Sequence, residues 1–232
     1  MSSSAKEKII VAIDVPTTDN ALQLFSELQG TATWVKIGLQ LFTAEGPSIV
    51  AKARDHGFRV FLDLKFHDIP NTAKHAVASA RNLGVDMTTI HLCGGAEMIR
   101  AAVSEAGDML VLGVSVLTSM DDAALQQTGV SRVAADQVLH LAGLGVESGL
   151  KGIVASPLEI SALRENFGDR LKLVIPGVRP PGADKGDQKR VLTPAEAISR
   201  GADWLVIGRP ITGAASPRQA LEEIAVGIEA GA

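Results

Sequence analysis

The densest run of chemistry-bearing side chains is Phe61-Leu62-Asp63-Leu64-Lys65-Phe66-His67-Asp68-Ile69-Pro70-Asn71-Thr72. Asp63 and Lys65 stand two apart in an apolar run that reads as a strand, so their side chains share one face. Asp68 follows in the next loop. Lys36 lies in a separate apolar run, and a neighbouring strand there would complete an alternating array of Lys, Asp, Lys and Asp. Charges at the ends of buried strands are costly unless they are paired or used. Such an array can keep a lysine protonated between carboxylates, ready to stabilise negative charge and to give up a proton. It can equally be a salt-bridge network that holds the mouth of a barrel, because structural ion pairs also perturb pKa values. The charge pattern alone leaves both open.

Eight short apolar runs carry these residues: Ile9–Val15, Trp34–Leu39, Arg59–Lys65, Met87–Leu92, Leu110–Val116, Gly152–Ala155, Leu171–Val178 and Trp204–Gly208. Most are nearly continuous in hydrophobicity, as expected of parallel strands buried on both faces. Amphipathic stretches lie between them. In Asn20–Leu28 the residues Leu22, Phe25 and Leu28 recur at helical spacing. Ile69–Leu83 has a proline in its first turn, and Ser216–Ile228 opens with Ser-Pro, an N-cap followed by a first-turn proline. Alternation without a break in composition predicts one α/β domain over residues 1–232, a (β/α)8 TIM barrel. The alternative is an open doubly wound sheet, weakened by the lack of Gly-x-Gly-x-x-Gly after the first strand.

In a barrel of this kind the active site lies at the C-terminal ends of the strands. The polar residues expected there are Asp14, Lys36, Asp63, Lys65, His91, Thr118, Arg179 and Arg209, with Gly208 beside the last. The polar loop Arg179–Arg190, which contains Gln188, follows the seventh strand. It is either a solvated connection or a lid, and a loop of that length in a compact barrel is more often functional.

Composition narrows the partners. A net charge of −4 without a basic tail argues against a nucleic-acid polymer. Aromatics are 3% and hydrophobic residues 46%, so the core must be built mainly from Val, Ile, Leu and Ala. Cys93 is the single cysteine; it excludes an internal disulfide and reads as a small apolar filler. Met1–Lys8 is polar with no signal-like apolar core, and no apolar run is long enough for a bilayer, so a cytoplasmic location is expected. His67 and His91, on adjacent strands, raise the idea of a metal. Lys36 stands where a metal site would want a carboxylate or histidine, and Pro176-Gly177-Val178 offers no side-chain ligand, so no metal and no cofactor are expected. His56, His75 and His140 fall in helical patterns and read as surface or packing residues.

The motif Asp-x-Lys-x-x-Asp, here DLKFHDIPNT, resembles the signature of the orotidine 5'-monophosphate decarboxylase family. The similarity continues in AIDVP around Asp14, VKIGLQLF around Lys36, GVSVLTS around Thr118, PGVRPPG around Arg179 and IGRPI around Arg209, spanning nearly the whole chain in order. The resemblance implies conversion of orotidine 5'-monophosphate to UMP and CO2 in pyrimidine nucleotide biosynthesis, without metal or cofactor, by a homodimer with shared active sites. It implies that Lys65 protonates C6, that Asp63 sits beside the departing carboxylate, and that Lys36 and Asp68 complete the array. Asp68 and Thr72 would come from the partner subunit. Asp14 and Lys36 would contact the ribose, Thr118 the pyrimidine, and Arg179, Gln188, Gly208 and Arg209 the phosphate.

The chemistry agrees with that division: loss of CO2 leaves an electron pair in the ring plane, which needs electrostatic stabilisation and then a proton. Keto-gulonate-phosphate decarboxylases and hexulose-phosphate synthases look similar at the same motif but use magnesium and an acidic ligand on strand two, where this chain has Lys36. Ribulose-phosphate epimerases have a metal-ligand pattern missing here. A non-catalytic nucleotide-binding barrel is the competitor from another class, and such a binder has no need of the costly charged array.

Overall fold

The computed structural model describes residues 5–180 and 192–231. Its strands are β1 (Ile9–Ile13), β2 (Trp34–Gly38), β3 (Arg59–Phe66), β4 (Met87–His91), β5 (Leu110–Val114), β6 (Gly152–Val154), β7 (Lys172–Pro176) and β8 (Trp204–Ile207). All pair in parallel with their sequence neighbours, and β8 returns to β1, closing a (β/α)8 barrel. The eight expected strand segments are all present, most of them a residue or two shorter than the apolar runs. Ala155, Val116 and Val178 are buried yet lie beyond their strands. Hydrophobicity therefore tracked burial, which continues past the last ladder hydrogen bond.

The helices are α1 (Thr18–Leu28), α2 (Leu39–Glu45), α3 (Ser48–Asp55), α4 (Pro70–Asn82), α5 (Gly95–Val103), α6 (Asp122–Gln127), α7 (Ala134–Glu147), α8 (Ile160–Phe167), α9 (Pro194–Ser199), α10 (Arg209–Thr212) and α11 (Pro217–Ala230). The three expected helices are α1, α4 and α11. Pro70 and Pro217 occupy first-turn positions, and the Ser216 side chain accepts from the Gln219 amide as the N-cap. The ring of helices packs on the outward faces of the strands through a continuous core that includes Phe25, Leu41, Val77, Ile99 and Leu221.

A second, smaller core fills the barrel. Ile10, Ala12, Trp34, Phe61, Met87, Leu112, Val174 and Val206 point inward and plug its lower half. Gly152 on β6 makes room for this plug: a Cβ there would sit 2.6 Å from Leu112 Cδ2. Side chains two residues further along each strand face the same way, one layer higher. Above Ala12 comes Asp14, above Trp34 comes Lys36, above Phe61 comes Asp63, and above Met87 comes Thr89. The apolar plug is thus the floor on which a polar layer is built.

Candidate active site

Asp14, Lys36 and Asp63 of that layer line a cavity of about 430 Å³ at the C-terminal mouth of the barrel. Asp14, Lys36, Asp63, Lys65, Thr118, Arg179, Gly208 and Arg209 all border it, together with apolar walls from Val114, Val116, Leu117, Val154, Pro176 and Val206. Eight of the eleven residues singled out in the sequence are therefore brought together in one chain. Asp68 and Thr72 are not among the lining residues; both are exposed, and the Asp68 carboxylate accepts from the Ile69 amide at 2.7 Å. Gln188 lies outside the described residues, as does the rest of its loop from 181 to 191.

The charged groups are tightly coupled. Lys36 is only 8% exposed, a position tolerable for an ammonium only with partners. It has two: its Nζ donates to Asp14 Oδ1 at 2.9 Å and lies 3.7 Å from Asp63 Oδ2. Lys65 Nζ donates to Asp63 Oδ1 at 2.8 Å. Asp63 thus has a cation facing each oxygen. Burial alone pushes its carboxyl up, but the charges of Lys36 and Lys65 and the hydrogen bonds from Lys65 and Thr89 outweigh burial. Asp63 is held below the usual carboxylate range. Gly38 lets this arrangement fit, since a Cβ there would come within 3.0 Å of both Asp14 Oδ1 and Lys36 Nζ.

Asp63 and Lys65 converge, but not through the regular pleat that their spacing suggested. The β3–β4 register shifts between Leu62, opposite Thr88, and Phe66, opposite Ile90. Three residues of β3 thereby face one residue of β4, Thr89. Within this irregularity Lys65 has φ 52°, the one non-glycine residue with positive φ among the described residues. An L-residue pays roughly 1–2 kcal/mol for that conformation. Sequence inspection passed over Thr89, whose hydroxyl contacts both members of the pair. Its signal was a hydroxyl two residues after Met87, on the inward face of β4.

Arg179 and Arg209 also border the cavity, after β7 and β8. The Arg179 guanidinium donates to the Val178 carbonyl at 2.9 Å. Gly208 separates β8 from α10. The cavity lining is therefore chemically divided: an alternating array over β1 to β3, and two arginines over β7 and β8.

The histidine pair forms a separate cluster at the rim. The rings of His67 and His91 are 5.5 Å apart, and Cys93 Sγ lies 3.8 Å from His67 Nε2. Burial, then the charges of His67 and Lys65, hold His91 below the usual imidazole value, against a smaller opposing pull from Asp63. No group of three or more His, Cys, Asp or Glu among the described residues is arranged to hold a metal ion. His75 and His140 lie exposed on helices, and His56 packs against Phe25 at 5.6 Å, in line with their surface or packing assignment.

Comparison with known proteins places this geometry. Residues 7–224 match the family model described as "Orotidine 5'-phosphate decarboxylase / HUMPS family". The chain belongs to that family. Relatives within the orotidine 5'-phosphate decarboxylase / HUMPS family include a protein of Moorella thermoacetica named orotidine 5'-phosphate decarboxylase. It is 48% identical, with 97% of this chain and 93% of that protein covered. A protein of the same name from Nitrosococcus oceani is 48% identical, covering 94% of this chain and 96% of its own length. A crystal structure of orotidine 5'-phosphate decarboxylase from Lactobacillus acidophilus superposes with a TM-score of 0.86 at 34% identity, covering 96% and 99% of the two chains.

Proposed function

We propose that this chain decarboxylates orotidine 5'-monophosphate to UMP and CO2, in pyrimidine nucleotide biosynthesis, without metal or cofactor. One observation carries the reading: Lys65 and Asp63, ion-paired and flanked by Lys36 and Asp14, line the same cavity as Arg179 and Arg209. Its volume of about 430 Å³ suits a nucleotide-sized ligand.

The pyrimidine carboxylate is placed near Asp63 and its C6 near Lys65. The bond from C6 to the carboxylate breaks, CO2 leaves, and the electron pair stays on C6 in the plane of the ring. The Lys65 ammonium stabilises that pair and then transfers a proton to C6; solvent reprotonates the amine. Asp63, an anion even while buried, holds the ammonium in place. Lys36 and Asp14 contact the ribose, and Thr118 the pyrimidine. Arg179, Gly208, Arg209 and Gln188 hold the phosphate, where planar guanidinium forks suit its oxygens. Binding energy gained there supports the chemistry at C6.

The protein works as a homodimer in which Asp68 and Thr72 of one subunit complete the site of the other. Their exposure beside β3, outside their own chain's cavity, is consistent with that role. Ile69, between them, is 67% exposed, an apolar side chain suited to being covered. The location is cytoplasmic; among the described residues no helix is long and apolar enough to cross a membrane.

The second branch of the family would need a divalent ion. Here Lys36 stands on β2, where that branch has an acidic ligand, and its ammonium pairs with Asp14 and Asp63. The test is purified protein, treated with EDTA, given orotidylate or keto-gulonate phosphate, with and without added magnesium. Loss of orotidylate absorbance, unchanged by EDTA, is expected. Turnover of the sugar phosphate alone, dependent on magnesium, would overturn the assignment.

A further inference from the structure

Thr89 is completely buried and does not line the cavity, yet it makes two hydrogen bonds to the residues that do the chemistry. Its Oγ1 accepts from the Lys65 backbone N–H at 2.8 Å and donates to Asp63 Oδ1 at 3.0 Å. A hydroxyl has one proton. Because the Lys65 amide must donate, that proton is directed to the carboxylate, and the orientation of the hydroxyl is fixed. Where the β3–β4 ladder loses register, the Thr89 side chain thus satisfies an amide that a regular parallel strand would pair with backbone. Its neighbour Thr88 performs the matching task on the outer face, donating to the Leu62 carbonyl at 3.0 Å just before the register shifts.

The Lys65 conformation makes this contact consequential. A positive φ in a lysine persists only where its surroundings over-determine it. Thr89 provides a specific restraint: it grips the backbone of Lys65 and the carboxylate to which the same lysine's ammonium is bonded. Three residues thereby form a closed loop of amide, hydroxyl, carboxylate and ammonium. We infer that Thr89 is a positioning residue, whose hydroxyl holds the bulged β3 end so that the Lys65 ammonium and the Asp63 carboxylate face the substrate at a fixed separation. Small errors in such placement are expensive in rate, because the reacting atoms must be held near their attack geometry.

This inference rests on the decarboxylase assignment, and the experiment separates the two. Thr89→Val keeps the branched shape and removes the hydroxyl; Thr89→Ser keeps the hydroxyl. Wild type and both variants are assayed with orotidylate, and folding is checked by circular dichroism and thermal melting. For folded Thr89→Val, kcat should fall by about tenfold or more with KM little changed, since Thr89 does not border the cavity. The acid limb of its pH–rate profile should move upward, because the Asp63 carboxylate loses a donor. Thr89→Ser should recover most of kcat. If Thr89→Val does not fold, Thr89→Ala, which also lacks the hydroxyl but adds no apolar group against Asp63, carries the same comparison.

A folded hydroxyl-free variant with kcat within about twofold of wild type would overturn the positioning role. So would equal losses in the serine and hydroxyl-free variants. Wild type inert toward orotidylate would instead remove the assignment on which the inference stands.

Discussion

Asp63 is the residue on which the charged array turns. It faces Lys36 through one oxygen and Lys65 and Thr89 through the other, and this surrounding holds its carboxyl below the ordinary value of about 4 despite burial. A carboxyl whose pKa is lower in the folded than in the unfolded state stabilises the fold above its unfolded value. That contribution disappears as pH falls through the folded value. Asp63→Asn has no such titration. The stability difference between wild type and Asp63→Asn should therefore be steady at neutral pH and shift against wild type from about pH 4 downward. Urea unfolding of both proteins across that range measures it. A difference that stays constant to the acid end would show that Asp63 is not held ionised by its neighbours.

The alternation of strands and helices was legible because most strands are nearly continuous apolar runs, α1 shows an apolar stripe at helical spacing, and α4 and α11 carry first-turn prolines. The inward face of those strands was legible too: Lys36 and Asp63 follow Trp34 and Phe61 at the period of two that any strand imposes. The bulge at Lys65 was not, because nothing in the order of residues marks a positive φ at a lysine; it arises from β4, a distant segment, through Thr89. Asp68 and Thr72, by contrast, do not line the cavity of their own chain. After β8, which ends one residue before Gly208, α10 begins with Arg209 at the cavity edge. If Arg209 acts on the phosphate, Arg209→Ala should lower kcat/KM for orotidylate far more than for orotidine, which lacks that group. Equal proportional losses for the two substrates would assign Arg209 another role.

For the whole molecule, the described chain encloses a cavity with Lys36, Asp63 and Lys65 but leaves Asp68 outside it. Two-fold pairing would bring Asp68 of one subunit to the other's cavity and gather two defects into one site. Lys65→Ala and Asp68→Ala homodimers should each be nearly inactive. Once exchanged, with exchange verified by mass-tagged subunits, half the dimers are mixed and about a quarter of all sites are intact. Activity rising to about that share of wild type is expected; activity remaining at the level of the separate mutants would mean that Asp68 does not act across an interface. The central claim, that the array around Lys65 removes CO2 from orotidylate, has a more direct test. Chelated wild type and folded Lys65→Ala are given orotidylate, and CO2 and UMP are quantified together. Wild type should release the two in equal molar amounts, and Lys65→Ala should lose several orders of magnitude in kcat. No UMP from wild type, or a folded Lys65→Ala within about tenfold of it, would contradict the claim.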